Sequence, residues 1–173
     1  DCAVFREEVT SGLPASPTHV LAPARLAHLT RAVDLYVSPF LDGFTLPDSP
    51  AFDEWQFFQR ESLHQLYGQA LEQLVHAYQR GGDIMAAIPY ARRWVALDRL
   101  HEPAQRALMR LYAASGQVTA AIRQYQECVR VLDEELGVEP EAETTELYND
   151  IRARRIEPDV RAAAAESPGP AID

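Results

Sequence analysis

The sequence predicts an all-α fold, and more specifically a tetratricopeptide-like stack of antiparallel helix hairpins. Three observations indicate this class. Apolar residues recur with a period near 3.6 along most of the chain, strand-like alternation is scarce, and one pattern of residue classes repeats at a fixed offset. Glycine and proline residues divide the helical segments, so the order of the predicted helices can be followed along the chain.

The first two predicted helices lie at 22–37 and at about 50–80. Pro23 falls in the first turn of the earlier helix, where proline is tolerated because no backbone hydrogen bond is lost. Proline, glycine and aspartate residues in 38–49 break the helical pattern. The long second helix would measure about 45 Å at 1.5 Å per residue, and it is predicted to end at Gly81-Gly82.

Four aromatic residues occupy the first turns of this long helix. We expect them to lie mostly in the core, between the first helices and the stack. The alternative is a partner-binding patch, because exposed aromatic residues mark interfaces. The four residues are Phe52, Trp55, Phe57 and Phe58.

The third predicted helix runs to about Leu97, and Asp83 is its predicted N-cap. Pro89 falls inside this helix. Because proline lacks a backbone N–H, it should remove the hydrogen bond to the carbonyl of Met85 and kink the helix.

Three further helices complete the predicted order. They lie at about 102–115, at 118–136, and from Pro140 onward. Gly116 and Gly137 follow the first two of these helices, which is where a left-handed C-terminal residue is favoured.

The internal repeat has the tetratricopeptide period, which is about 34 residues. Large apolar residues, then tyrosine, then glycine, then alanine occupy matching positions. Glycine permits the turn between antiparallel helices, and alanine allows the two helices to approach closely. The predicted structural residues are Leu74, Tyr78, Gly82 and Ala87 in one unit, and Leu108, Tyr112, Gly116, Ala121 and Tyr125 in the next.

Length and composition are those of one domain with a tail. The chain has 173 residues, of which 47% are apolar, and no apolar run reaches membrane-spanning length. Cys2 and Cys128 are far apart, a pattern that fits reduced thiols in a cytosol. Because the chain starts at Asp1 rather than methionine, we expect it to be part of a longer protein.

The charge balance argues against a large nucleic-acid surface. The net charge is −10, and all 16 basic residues are arginine, so duplex DNA should repel the chain. The eight acidic residues of 133–150 form either a solvated helix end or a docking face for a basic partner. Arg99, Arg106 and Arg110 share one helix face, and we favour pairing with acidic residues inside the stack over contact with a partner.

Residues from about Tyr36 to Ile156 resemble the bacterial transcriptional activator domain. The motifs that carry the resemblance are "FLDG" from Phe40, Trp55 followed by Glu61, "HEP" from His101 and "ELGVEP" from Glu135. This domain typifies regulators of the Streptomyces antibiotic regulatory protein type.

The resemblance implies an α-helical repeat domain in a transcription regulator, with a winged-helix DNA-binding domain immediately upstream. "DCAVFREEV" resembles the segment that leaves such a domain. We therefore divide the chain into an N-terminal segment at 1–21, a helical-repeat domain at 22–156 and a flexible tail at 157–173. Pro89 and Tyr36-Val37-Ser38 depart from the family pattern.

His101-Glu102 resembles the start of a zinc-protease helix, but such a helix needs a second histidine four residues after the first, and position 105 is Gln. We predict instead that Glu102 supplies negative charge to a helix start. The other histidines show no ligand spacing, and no nucleophile or phosphate-loop motif is present. The sequence therefore predicts no catalytic residues, no metal, no cofactor and no enzymatic activity. These other histidines are His19, His28, His64 and His76.

We predict a cytoplasmic regulatory and interaction domain of a bacterial transcription activator. Its partner would be a second copy, the transcription machinery or another domain of the same chain, and DNA would be contacted only through the upstream domain. The alternative is a generic tetratricopeptide scaffold that binds a peptide. A DNA-reading helix-turn-helix around Gly116 is disfavoured, because the same hairpin occurs one repeat earlier, around Gly82. Candidate interaction residues are Arg106, Arg110 and Arg123.

Overall fold

The structure, a computed structural model, describes residues 2–14 and 22–154. Every regular element in these ranges is an α-helix, which confirms the predicted all-α class. The described residues form two compact units, which divide between Ala77 and Tyr78, and α3 contributes residues to both. The helices are α1 (Cys2–Gly12), α2 (Pro23–Leu35), α3 (Pro50–Gly81), α4 (Ile84–Leu97), α5 (Glu102–Ala114), α6 (Val118–Leu136) and α7 (Ala142–Arg152).

Two predicted helix boundaries need correction. The segment before residue 22 contains the helix α1, where the sequence predicted none. The last helix begins at Ala142 and not at Pro140, because the N-cap residue Glu141 has an extended backbone, with ψ at 150°. The helix α4 is continuous through Pro89, whose side chain lies on an exposed face.

In the first unit, α1 packs against α2. Phe5 and Val9 are the buried apolar residues of α1. Gly12 allows the close approach, since a Cβ at this position would lie 2.5 Å from the Cγ of Leu29. At the edge of the contact, the Glu8 carboxylate lies 2.6 Å from the Nδ1 of His28, so polar and apolar contacts join the same two helices.

The loop before α3 is tied to that helix by two side chains. The buried Gln56 donates from Nε2 to the carbonyls of Leu41 and Phe44, at 3.2 and 3.1 Å. Arg60 donates to the carbonyls of Phe40 and Leu41, both at 2.7 Å. These bonds satisfy backbone acceptors that no helix or strand pairs, and they fix the loop on the first turns of α3.

In the second unit, α4, α5, α6 and α7 pack on one another in chain order, and α5 also contacts α7. Helix α5 is the most enclosed, with ten of its 13 residues buried. Stacked tyrosine rings join helices at both ends of this unit, since Tyr78 lies 5.5 Å from Tyr90 and Tyr125 lies 4.0 Å from Tyr148, between ring centroids. Because most of α5 is buried, few of its side chains are exposed to solvent.

The two glycine turns of the repeat have the same backbone geometry. Gly82 and Gly116 both have a φ of +77°. The N–H of Asp83 bonds to the carbonyl of Tyr78, and at the matching positions of the next repeat the N–H of Gln117 bonds to the carbonyl of Tyr112. This six-to-one bond after a left-handed residue is the Schellman ending of a helix, so each hairpin turns in the same way.

We expect Gly82→Ala to lower the free energy of unfolding by about 1–2 kcal/mol, because a side chain disfavours the left-handed conformation by that amount. No atom lies within 4 Å of the added Cβ, so the loss comes from the backbone alone. Urea denaturation followed by circular dichroism measures it.

The neighbouring Gly81 is the matched control. It ends α3, has no positive φ, and also has open space around a Cβ. Gly81→Ala should leave stability unchanged or raise it by up to about 1 kcal/mol. Equal losses at the two positions would contradict the assigned turn.

Candidate functional site

The residues of the internal repeat lie mostly inside the helical packing. The leucine and alanine residues at matching positions of the two repeats are each at most 2% exposed: Leu74 and Leu108, and Ala87 and Ala121. Tyr112 is also buried, and its hydroxyl accepts a hydrogen bond from the Nε of Arg92 at 2.9 Å. Such residues can position outward groups but cannot themselves meet a partner.

A buried polar cluster joins the start of α5 to the start of α7. The carboxylate of Glu102 accepts from the backbone N–H of Glu141, which lies 3.0 Å from each oxygen. It also accepts from the hydroxyl of Thr144 at 2.5 Å. Glu102 thus satisfies an unpaired N–H at the start of α7, which is the role that a capping side chain fills within one helix.

Arg106 completes this cluster. It is only 8% exposed, and its guanidinium donates to the Oε2 of Glu141 at 2.6 Å and to the hydroxyl of Thr144 at 3.0 Å. A second ion pair to Glu143 spans 3.3 Å. Buried charges need such partners to offset their lost hydration. The guanidinium of Arg106 therefore pairs with carboxylates of the same chain, which was the favoured one of the two interpretations of this arginine.

Glu102 begins α5, so the structure confirms the prediction that it supplies negative charge to a helix start. Its carboxylate is in addition buried against the start of α7, which the sequence did not indicate. The ring of His101 packs on Trp94, with centroids 5.4 Å apart. Within the described ranges, no group of three or more His, Cys, Asp or Glu side chains could hold a metal ion, and His19 lies outside those ranges.

Arg99 is also paired internally. Its guanidinium bonds to Glu127 of α6, and Arg130 bonds to the same carboxylate at 2.7 Å. Hydrogen bonds from Arg130 and then Arg99 lower the pKa of Glu127 to about 2, against the opposing effect of partial burial. The pairs are exposed, so their contribution to stability is small.

Arg110 and Arg123 are the exposed members of the predicted interaction set. Partial removal from water, and then the charge of Arg106, lower the pKa of the Arg110 guanidinium, which the nearby Glu143 opposes. The side chain of Arg123 makes no hydrogen bond or ion pair with the residues that the structure describes. Both residues are exposed, and the charged group of Arg110 lies near Arg106 and Glu143 of the cluster.

The acidic stretch 133–150 is divided between two roles. Glu141 and Glu143 pair with Arg106 of α5. Glu134 pairs with Arg130 of the same helix. Most of the others are exposed, and two exposed apolar residues, Leu136 and Val138, lie between them in the sequence. Part of the negative charge is thus paired, and part is on the exposed surface.

The predicted core position of the aromatic residues at the start of α3 is wrong for three of the four. Trp55 is 47% exposed, Phe57 is 63% exposed and Phe58 is 59% exposed, whereas Phe52 is half-buried. The physical reason is the rotation of the helix: Gln56 and Leu63, seven residues apart, face inward, which turns the other rings outward.

The first unit also contains an open cavity of about 240 Å³. Tyr36 lies at its wall and stacks on Tyr67, with centroids 4.2 Å apart. Burial, and then the neighbouring Tyr67 and Cys2, raise the pKa of the Tyr36 hydroxyl. Sequence reasoning missed this cavity because α1, which supplies part of its wall, was not predicted. Its lining includes Cys2, Phe5, Tyr36, Phe40, Leu41 and Leu63.

Comparison with known proteins gives one family. The chain matches the family model of the bacterial transcriptional activator domain over residues 1–152. No curated protein and no solved structure matches it significantly. None of the helices in the described ranges is both long and apolar enough to cross a membrane.

We expect Thr144→Val to lower the free energy of unfolding by about 2–3 kcal/mol. The change keeps the side-chain shape but removes a hydroxyl that donates to Glu102 and accepts from Arg106, both buried charged groups. Chemical denaturation of the two proteins gives the difference.

Thr145→Val is the matched control for this experiment. The hydroxyl of Thr145 makes a long contact of 3.4 Å to the hydroxyl of Tyr125 and no contact to a charged group within the described residues. Its loss should change stability by less than about 1 kcal/mol. A loss at Thr144 no larger than the loss at Thr145 would contradict the role of the cluster.

The two cysteines should react at very different rates. Burial, and then the charge of Glu102, raise the pKa of the Cys128 thiol to about 11, so roughly one molecule in a thousand carries the thiolate at pH 8. Cys2 is half-exposed. With a chromogenic disulfide reagent at pH 8, one thiol should react quickly in the folded chain and the second only in urea.

Cys2→Ser should remove the fast phase and leave the slow one. Two fast phases of equal size in the folded wild-type chain would contradict the burial of Cys128.

Proposed function

The chain belongs to the bacterial transcriptional activator domain family, and we propose that it is the regulatory, protein-contacting domain of a transcription activator. The family match over residues 1–152 carries this proposal. The partner is the transcription machinery, another domain of the same protein or a second copy of the chain. DNA is contacted through a separate winged-helix domain upstream, and the protein acts in the cytoplasm.

The distribution of charged side chains supports contact with proteins rather than nucleic acid. The net charge is −10, and several arginines are engaged with carboxylates of the same chain, Arg99 and Arg106 among them. Arg110 and Arg123 are exposed, and we assign them to contact with an acidic patch of a partner. Arg106 takes a positioning role in this proposal, because its guanidinium holds α7 against α5.

A non-enzymatic role follows from the same proposal. The family is a regulatory one, and the buried polar groups Glu102, Arg106 and Thr144 are used to join helices. Their geometry serves the shape of the domain.

We expect the chain by itself to bind no DNA at about 0.15 M salt. At that ionic strength the repulsion between a chain of charge −10 and the phosphates outweighs contacts made by a few separate arginines. Fluorescence anisotropy of labelled promoter fragments, titrated with the chain, measures DNA binding.

The control is the longer protein encoded by the same gene, which we expect to bind DNA through its upstream domain. Sequence-specific binding by the chain alone would contradict the proposal. A gene that encodes no winged helix directly upstream of Asp1 would also contradict it, and would favour a peptide-binding tetratricopeptide scaffold.

A further inference from the structure

Five large apolar side chains are exposed close together in the sequence around the start of α3. We name this set the aromatic face: Phe44, Leu46, Trp55, Phe57 and Phe58, which are between 44% and 63% exposed. Single exposed apolar residues are ordinary on protein surfaces, but a group dominated by large aromatic rings is typical of a contact surface.

The aromatic face is held in place before any partner binds. Gln56 and Arg60 bond to the carbonyls of residues 40, 41 and 44, which fixes the loop on α3. Ring contacts add to this, since the centroids of Phe44 and Phe52 lie 5.7 Å apart, as do those of Phe40 and Trp55. A preformed surface loses little conformational freedom on binding, so more of its contact energy appears as affinity.

The segment that carries the aromatic face is acidic, and the one base that is shown to reach it from α1, Arg6, donates to Gln59 at 2.7 Å. Residues 40–61 contain five carboxylates, all exposed, and a single base, Arg60. That base is directed to the carbonyls of Phe40 and Leu41 and so is not offered to a partner. A surface of this kind attracts cationic groups and repels anionic lipid and nucleic acid. The carboxylates belong to Asp42, Asp48, Asp53, Glu54 and Glu61.

The acidic and aromatic side chains alternate along one line of α3. Glu54, Phe58 and Glu61 are at positions i, i+4 and i+7, which lie on one side of a helix over about 10 Å. A helix laid along this line would meet an apolar ring between two carboxylates. Its matching pattern is apolar residues at intervals of three and four, flanked by arginine or lysine.

We propose that the aromatic face binds a basic amphipathic helix of a partner protein. The inference rests on the proposed function, because it specifies the chemistry of one protein partner of a regulatory domain. Charge complementarity selects this occupant: the ring side chains supply the apolar contact, and the carboxylates beside them select a cationic helix over an acidic or neutral one.

The test uses a synthetic peptide with leucine at intervals of three and four and arginine beside the leucine stripe, long enough to form a helix in water. A second peptide has glutamate in place of every arginine. Tryptophan fluorescence reports binding at the face, since Trp55 is 47% exposed whereas Trp94 is 6% exposed. The arginine peptide should shift the emission of Trp55 to shorter wavelength and reduce its quenching by acrylamide. The glutamate peptide should do neither.

Three variants of the chain locate the contact. Glu54→Arg with Glu61→Arg, and separately Phe58→Gln, should each weaken binding of the arginine peptide on the order of tenfold or more. Met85→Gln is the matched control, because Met85 is 55% exposed on α4 and should leave the affinity unchanged. All of these positions are exposed, so urea denaturation should give each variant the wild-type stability within about 0.5 kcal/mol.

Five results would overturn the proposal. The first four are no binding of the arginine peptide, equal affinity for the two peptides, unchanged affinity in the face variants, and a shift of Trp55 emission by vesicles of anionic phospholipid. A chain that sediments as a dimer and becomes a monomer on Phe58→Gln would also overturn it, in favour of a second copy. None of these results bears on whether the chain binds DNA. The proposed function is tested by that separate measurement, so the two proposals can fail independently.

Discussion

The left-handed glycine that ends the first helix of each hairpin is the constraint on which the stack depends. Gly82 and Gly116 share a φ of +77° and the same six-to-one hydrogen bond in the turn. This conformation ends the helix and turns the chain within a few residues, before the next helix begins. Ala87 of α4 and Ala121 of α6 are both fully buried, where close packing leaves no room for a larger side chain.

Helix α5 packs against α4, α6 and α7, and this packing determines which residues of the second unit stay exposed. Helix α5 is buried over most of its length, and its charged residues Glu102 and Arg106 bond to α7. The carboxylate of Glu102 and the guanidinium of Arg106 are thereby engaged in joining two helices. Of the charged residues that the sequence singles out in this unit, Arg110, Arg123 and part of the acidic stretch 133–150 remain exposed. The buried charged groups of this unit thus join helices, and the proposed contact with a partner falls to the exposed residues.

Much of the fold could be predicted because its signals are local. The ends of α3 and α6 lie at glycines, the N-cap of α4 is Asp83, and the repeat fixes the spacing of two hairpins. Helix α1 was missed because its buried residues, Phe5 and Val9, span little more than one turn. The helix is stabilised by its packing on α2, and this contact cannot be seen in the local sequence.

The candidate sites were harder to predict, because they depend on residues distant in sequence. Glu102 and the groups that it accepts from are 39 and 42 residues apart, so no local pattern could indicate its buried role. The aromatic residues of α3 were placed in the core on composition. Their outward direction is set by Gln56, whose buried amide bonds to loop carbonyls 12 and 15 residues earlier. Hydrophobicity alone does not reveal such a rotation.

Hydrogen–deuterium exchange of the chain, with and without the arginine-containing peptide, tests the central claim most directly. The claim is that packing occupies the inner faces and leaves the start of α3 for a protein partner. The account predicts slower exchange confined to residues 40–61, with unchanged exchange in α5 and α7. Slower exchange confined to α5, α6 or α7, with none in residues 40–61, would contradict it.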